Sequence, residues 1–148
     1  MTTRILFVCL GNICRSPSAE GVFRALSRAL DVEIDSAGTS DWHVGEPPYG
    51  PMQAAARARG YDLSAFRARL FQARDFAEFD LLIGMDTDNL RDMERLRPPG
   101  NDTPVAVFTD YADTGADHVP DPYYTRDFDG ALDLIEAASR GLIAQLPQ

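Results

Sequence analysis

Arg4-Ile5-Leu6-Phe7-Val8, then Cys9-Leu10-Gly11-Asn12-Ile13-Cys14-Arg15-Ser16, then Pro17, is the stretch on which the fold turns. Ile5 to Val8 is a short, continuously apolar run rich in β-favouring residues, which reads as a buried strand. Pro17 suits the first turn of a helix, and Ser16 suits the cap before it. The helix expected to follow, Pro17 to Leu30, puts Val22, Phe23, Leu26 and Leu30 on one face. Residues 9–16 therefore form a loop from a strand end onto a helix N-terminus. Backbone N–H groups converge at such a place, and the helix dipole favours negative charge there.

A cysteine opens this loop and an arginine follows six positions later. Thiols at helix N-termini beside a cation ionise well below their ordinary range and become nucleophiles. Cys9 is thus read as a thiolate aimed at phosphorus. Arg15 presents a planar fork to two oxygens of a phosphoryl group, and loop N–H groups take the remaining oxygen charge as it grows. Gly11 permits close backbone approach, and Asn12 tolerates the left-handed conformation that makes a loop concave. Ser16 can donate to the sulfur when it departs. A cysteine at a strand end is otherwise most often a small core residue; its place between strand and helix, with Arg15, favours the chemical reading.

The remaining composition narrows the setting. At 148 residues the chain has the size of one domain. No apolar run approaches membrane length, and the first twenty residues lack a signal-peptide pattern. Two cysteines, five positions apart, argue against a disulfide framework and for a reducing, cytoplasmic setting. A net charge of −9 makes nucleic acid and anionic membranes poor partners. All 14 basic residues are arginine, which removes lysine-dependent phosphotransfer and Schiff-base chemistry.

Further strands are expected at Val32–Asp35, Leu81–Met85 and Val105–Phe108. Helices are expected at Met52–Arg59 with Gly60 as stop, briefly within Gln72–Phe79, at Asp86–Leu96, and at Asp127–Leu146. Asp62–Leu70 reads as irregular and Asp110–Arg126 as a long acidic loop. Alternating strands and helices imply a single α/β domain over residues 1–148, a parallel sheet covered on both faces. Ligands in such folds bind beyond the carboxyl ends of the strands. Cys9, Ser36, Asp86 and the loop after Phe108 all fall at that edge.

These residues resemble the low molecular weight protein tyrosine phosphatases. The likeness rests on FVCLGNICRSPSAE at the start, DSAGTSDWHVG, FDLLIGMDTDNLRD, and VPDPYY near the end. It implies a four-stranded sheet in order 2-1-3-4, five main helices, and hydrolysis of protein phosphotyrosine through a phospho-cysteine, without metal or cofactor. Cys9 would be the nucleophile, Arg15 the phosphate clamp, and Asp121 the general acid and then base. Leu10, Gly11, Asn12, Ile13, Cys14 and Ser16 would complete the phosphate loop, and Ser36 would support it. Chemistry agrees on Asp121, since the leaving oxygen needs a proton and the attacking water a base. Ile13, Trp42, Tyr123 and Tyr124 would form an aromatic slot, deep enough for phosphotyrosine and too deep for phosphoserine. Phosphate and other oxyanions would inhibit, and Cys9 and Cys14 would form a redox pair.

Competing readings are weaker. Relatives acting on phosphoarginine tend to carry threonine where Ile13 stands, and arsenate reductases need more cysteines than Cys14 to relay a disulfide. Asp86-Thr87-Asp88 mimics a Mg²⁺-dependent phosphatase motif but suits a helix cap better. A non-catalytic binding module would have lost Cys9, Arg15 or Asp121. Cys9, Cys14, His43 and His118 lack zinc spacing; His118 reads as a loop residue, and His43 as a neighbour of the slot. Two departures from the family stand out. Phe66 replaces a histidine that helps hold the loop asparagine, and Tyr49-Gly50-Pro51 replaces a usual Asp-Pro-Arg. The expectation for the first is that Ser16 and Ser36 secure Asn12 while Phe66 packs behind the loop.

Overall fold

In the computed structural model, which describes residues 2–147, β1 (Thr3–Cys9) is an inner strand of the sheet. It is parallel to β2 (Val32–Gly38) on one side and to β3 (Leu81–Gly84) on the other, and β4 (Val105–Val107) extends the sheet beyond β3. The order is β2-β1-β3-β4, with all pairings parallel. Ile5 lies beside Ile34 and Leu81, and Phe7 beside Ser36 and Ile83.

Side chains alternate across a strand, so β1 feeds two cores. Ile5, Phe7 and Cys9 point with Ile83 into a larger core filled by α1 (Arg15–Leu26) and α6 (Phe128–Gln145). Phe7 there meets the rings of Phe23 and Phe108 at centroid distances of 5.6 and 5.0 Å. Leu6 and Val8 point with Leu82 to the opposite core. Phe76 from α3 (Asp75–Glu78), Met93 from α4 (Thr87–Glu94) and Phe71 fill that side. Burial on both faces is why these strands read as unbroken apolar runs. No described helix is long and apolar enough to cross a membrane.

Several boundaries differ from the sequence reading, each for a local reason. Helix α1 starts at Arg15, because the Cys14 carbonyl accepts both the backbone N–H (3.2 Å) and the hydroxyl (2.6 Å) of Ser18. Ser16 is therefore inside the helix and not its cap, and no side chain caps this end. The helix ends at Leu26, so Leu30 lies in the turn beyond it. β2 runs on to Gly38 because β1 keeps pairing with it up to Cys9. β4 stops at Val107, where Phe108–Tyr111 winds into a 3₁₀ turn. Helix α2 (Gly50–Ala58) does end at Gly60, whose φ of +90° takes the left-handed position past the helix. The acidic loop contains a single helical turn, α5 (Pro122–Thr125). The resemblance implies five main helices; among the described residues four are eight residues or longer, and α3 and α5 are single turns.

Candidate active site

The loop from Cys9 to Arg15 curls around the end of β1, and Asn12 holds its bend at φ +56°. A non-glycine residue stays in that region only when neighbours enforce it. Here the asparagine side chain makes three hydrogen bonds. Its Nδ2 donates to Ser16 Oγ (2.7 Å) and Ser36 Oγ (3.0 Å), and its Oδ1 accepts from the backbone N–H of Arg69 (3.0 Å). Both serine hydroxyls named from the sequence therefore hydrogen-bond the Asn12 side chain. Phe66 does not pack behind the loop. Its ring lies against Gly21 of α1 with the Arg24 guanidinium 5.6 Å from its centroid. The third bond comes from the Arg69 backbone, in a segment expected to be irregular, which is pinned where Phe71 N–H donates to Gly38 O (2.7 Å).

Gly38 is glycine for want of room: a Cβ would sit 2.9 Å from the Leu10 carbonyl oxygen. The network continues inward, because Ser36 Oγ donates to Glu20 Oε1 (2.7 Å) on α1. Glu20 is buried, and desolvation pushes its carboxyl up to about 7, against the lowering effect of the Ser36 hydrogen bond and of Arg24.

At the loop's centre Cys9 Sγ accepts the Asn12 backbone N–H (3.2 Å) and lies 3.0 Å from Ser16 Oγ. The backbone N–H groups of Gly11, Ile13 and Cys14 have no acceptor among the described residues. Arg15 is buried and braced from two further strand ends. Nη1 donates to Asp86 Oδ2 (2.7 Å) and to the Val119 carbonyl (3.0 Å), while Nη2 reaches Asp121 Oδ2 at 3.5 Å. Burial works against the guanidinium's charge, but Cys9, Asp86 and Asp121 more than offset it and hold its proton more firmly than usual. Arg15 Nε is buried and has no hydrogen-bond partner among the described residues.

Asp86 does two jobs. Oδ1 caps α4 by accepting the Asn89 N–H (2.8 Å), and Oδ2 braces Arg15. The first was expected and the second was not. Its one sequence signal was an acidic residue just past the end of β3 at the ligand edge. Asp88 only pairs with Arg91 on the surface. Asp121 caps α5, with Oδ1 accepting the Tyr123 N–H (3.1 Å) and Oδ2 facing Arg15.

One cavity gathers the expected residues. Its lining includes Cys9, Leu10, Gly11, Ile13, Cys14, Arg15 and Asp121, with Trp42, Tyr123 and Tyr124 at the rim. Asn12, Ser16 and Ser36 stand behind the loop. Trp42 and Tyr124 are largely exposed, at 65% and 69%. His43 also lines the cavity, its ring beside Gly11 and its Nδ1 2.8 Å from Glu46 Oε2. His118 is an exposed loop residue paired with Asp117. Cys9 and Cys14 are free and buried. Burial, then the negative charge of Asp121 and Cys9, pushes the Cys14 thiol up to about 12. No three His, Cys, Asp or Glu side chains among the described residues are placed to share a metal ion. Sequence reasoning gave Glu20 no part in the site; a lone carboxylate among the buried residues of α1 was its signal.

Comparison with known proteins agrees with this architecture. The family model for low molecular weight phosphotyrosine protein phosphatase matches residues 4–148. A low molecular weight protein-tyrosine-phosphatase of Streptomyces coelicolor is 46% identical over 156 residues, covering 97% of this chain and 93% of that one. Among solved structures, YfkJ from Bacillus subtilis superposes with a TM-score of 0.92 at 37% identity, covering 98% of this chain and 94% of that one. A Drosophila arginine phosphatase superposes with a TM-score of 0.88 at 29% identity, covering 95% and 96%. By sequence across nearly its whole length, and by the sheet that carries its cysteine-to-arginine loop, this chain belongs to the low molecular weight phosphotyrosine protein phosphatase family.

Proposed function

We propose that the protein hydrolyses phosphotyrosine in proteins, with Cys9 as nucleophile, Arg15 as phosphate clamp and Asp121 as general acid and base. The observation that carries this reading is the buried, unpartnered Nε of Arg15, on a cationic side chain that lines the same cavity as Cys9. With Nη1 committed to Asp86 and Val119, the Nε and Nη2 edge remains for two phosphoryl oxygens. The loop N–H groups take the third.

Cys9 Sγ attacks phosphorus, and the tyrosyl oxygen departs with a proton from Asp121. Oδ2 is the oxygen that carries it, since Oδ1 is committed to the Tyr123 N–H. In the second step Asp121 takes a proton from water, whose oxygen attacks the phospho-cysteine and frees phosphate. Ser16 Oγ, 3.0 Å from the sulfur, donates to the departing thiolate. Phosphate and similar oxyanions compete for the same nest. The slot of Ile13, Trp42, Tyr123 and Tyr124 favours an aryl ester over phosphoserine. Two free thiols suit a reducing, cytoplasmic setting. Neither nucleic acid nor a membrane is needed as partner.

The test is hydrolysis of phosphotyrosine, phosphoserine and phosphoarginine peptides with and without EDTA. Phosphotyrosine should be preferred and EDTA should be silent. Preference for phosphoarginine would overturn the substrate, and dependence on added Mg²⁺ would overturn the mechanism.

Cys9 and Cys14 also form the proposed redox pair. Peroxide oxidises the Cys9 thiolate to a sulfenic acid, and attack by Cys14 sulfur then expels water and leaves a disulfide. Reactivation by thiol should be complete in the wild type and lost in Cys14→Ser. Full recovery of that variant would reduce Cys14 to a space-filler beneath the loop.

A further inference from the structure

Tyr49 belongs to neither the phosphate loop nor the acid loop, yet it touches both. Its backbone N–H donates to the carbonyl of Ile13 (2.8 Å), which fixes it to the phosphate loop just before α2 begins. Its ring packs against Tyr123 of α5 at a centroid distance of 5.2 Å, tilted by 55°. Its hydroxyl accepts from Arg126 Nη1 (2.9 Å).

Arg126 closes α5 at the end opposite Asp121. It holds the left-handed φ of +65°, and its N–H donates to the Pro122 carbonyl (2.9 Å). A long-chain residue pays for that conformation, so its surroundings must enforce it. They do: the guanidinium carbon lies 5.4 Å from the Tyr49 ring centroid and 5.2 Å from that of Phe128. No carboxylate pairs with Arg126 among the described residues. Its charge is satisfied by two aromatic faces and one phenol.

Helix α5 is a single turn with Asp121 at its first end and Arg126 at its last, and apart from Pro122 its side chains are exposed. A four-residue turn is far too short to hold its shape alone. We propose that Tyr49 and Arg126 are positioning residues, a clasp that docks α5 on the phosphate loop and so sets Asp121 over Cys9. This deepens the proposed function and rests on its assignment of Asp121. Neither residue need touch the reacting atoms. A displacement of about 1 Å in a catalytic group can cost about 10²-fold, so a loosened clasp acts on proton transfer and leaves phosphate binding alone.

The experiment is kcat/KM for a series of aryl phosphates whose leaving groups span several pKa units, measured for Tyr49→Phe, Tyr49→Ala, Arg126→Ala and Asp121→Asn. A weakened general acid steepens the loss of rate toward poor leaving groups. Tyr49→Ala and Arg126→Ala should slow phosphotyrosine by about tenfold and activated esters little, with Tyr49→Phe in between. In the Asp121→Asn background, Tyr49→Ala should add almost nothing, because both changes remove one function. Inhibition by inorganic phosphate should be unchanged throughout. Equal losses across all leaving groups, or full additivity with Asp121→Asn, would overturn the clasp. A raised KM for Arg126→Ala at constant kcat would overturn it too, making Arg126 a substrate contact. Tyr49→Phe keeps the ring and the fold, so a folding defect in Tyr49→Ala leaves the test intact. An unchanged slope in Asp121→Asn alone would instead sink the Asp121 assignment.

Discussion

The phosphate loop and the acid loop face each other across one cavity and are built by opposite means. Around Cys9 almost everything is buried and directionally bonded: Asn12 and Ser16 are 2% and 0% exposed, and the asparagine side chain alone makes three hydrogen bonds. Beside Asp121 the side chains from Tyr123 to Arg126 are exposed, and the carboxyl has one backbone N–H and a 3.5 Å approach from Arg15. The contrast repeats within Arg15's own partners. Asp86 and Asp121 side chains are equally exposed at 23%, yet Asp86 bonds the guanidinium at 2.7 Å. One carboxylate is held tightly against the guanidinium and the other stands off from it. A nest that must bind a fixed tetrahedral anion gains from rigidity, since donors already in place cost no reorganisation. On the proposed role of Asp121, a group that gives a proton to an oxygen and later takes one from water needs a loose contact with its neighbour.

Asp121→Asn removes the proposed acid and keeps the nest. It should slow phosphotyrosine hydrolysis by about 10²–10⁴-fold, the usual share of general acid–base catalysis, while an activated aryl phosphate loses less in the first step. Phosphate should inhibit the variant as it inhibits the wild type. If phosphate binding fell together with turnover, Asp121 would belong to the nest and the two regions would not be separable.

What the sequence made legible follows the same division. The nest is nearly contiguous, so the spacing of Cys9, Arg15 and Ser16 between an apolar strand and a helix already placed them at one strand-to-helix junction. Ser36 was within reach because parallel neighbours place their strand ends side by side. Asp86 as a brace was not, since its partner lies 71 positions away and a capping aspartate looks the same whichever way its second oxygen points. The cap was misplaced by two residues, because Ser18 and Cys14 close the helix end earlier than Pro17 suggests. Phe66 failed differently. A substituted side chain need not occupy the space of the one it replaces, and the aromatic ring found Gly21 and Arg24 while a backbone N–H served Asn12. Tyr49 and Arg126 were invisible as a pair, for neither carries a motif and only the fold brings them together.

A gentler perturbation targets the nest from behind. Ser36→Ala leaves Asn12 with Ser16 and the Arg69 N–H, so the left-handed bend survives with one support fewer. Losing one neutral hydrogen bond costs about 0.5–1.5 kcal/mol, which should appear as a several-fold loss of kcat that is similar for good and poor leaving groups. That uniformity separates it from the acid-loop variants. A silent Ser36→Ala would mean that the serine is packing and that Asn12 needs only two partners.

The smallest effect on catalysis should come from Glu20, two hydrogen bonds removed from Asn12. Its carboxyl lies against Ser36 from β2 and Arg24 from its own helix, with Asp35 and Arg69 contributing more distant charge. Desolvation dominates and raises its pKa to about 7 in the folded chain, from an ordinary value of 4.5. Between those values the folded protein keeps a proton that the unfolded chain has released. Stability from this group is therefore full below about pH 4.5 and is lost as pH rises through about 7. Glu20→Gln keeps an acceptor for Ser36 and cannot ionise. Its melting temperature should match the wild type near pH 4 and exceed it by several degrees at pH 8, given about 2–4 °C per kcal/mol for a chain approaching 150 residues. Turnover should change by less than about twofold, because the Ser36 hydroxyl keeps its place beneath Asn12. Melting curves for the two proteins that stay parallel from pH 5 to pH 8 would show that Glu20 does not titrate there. They would also show that the ground beneath the nest is charged at neutral pH.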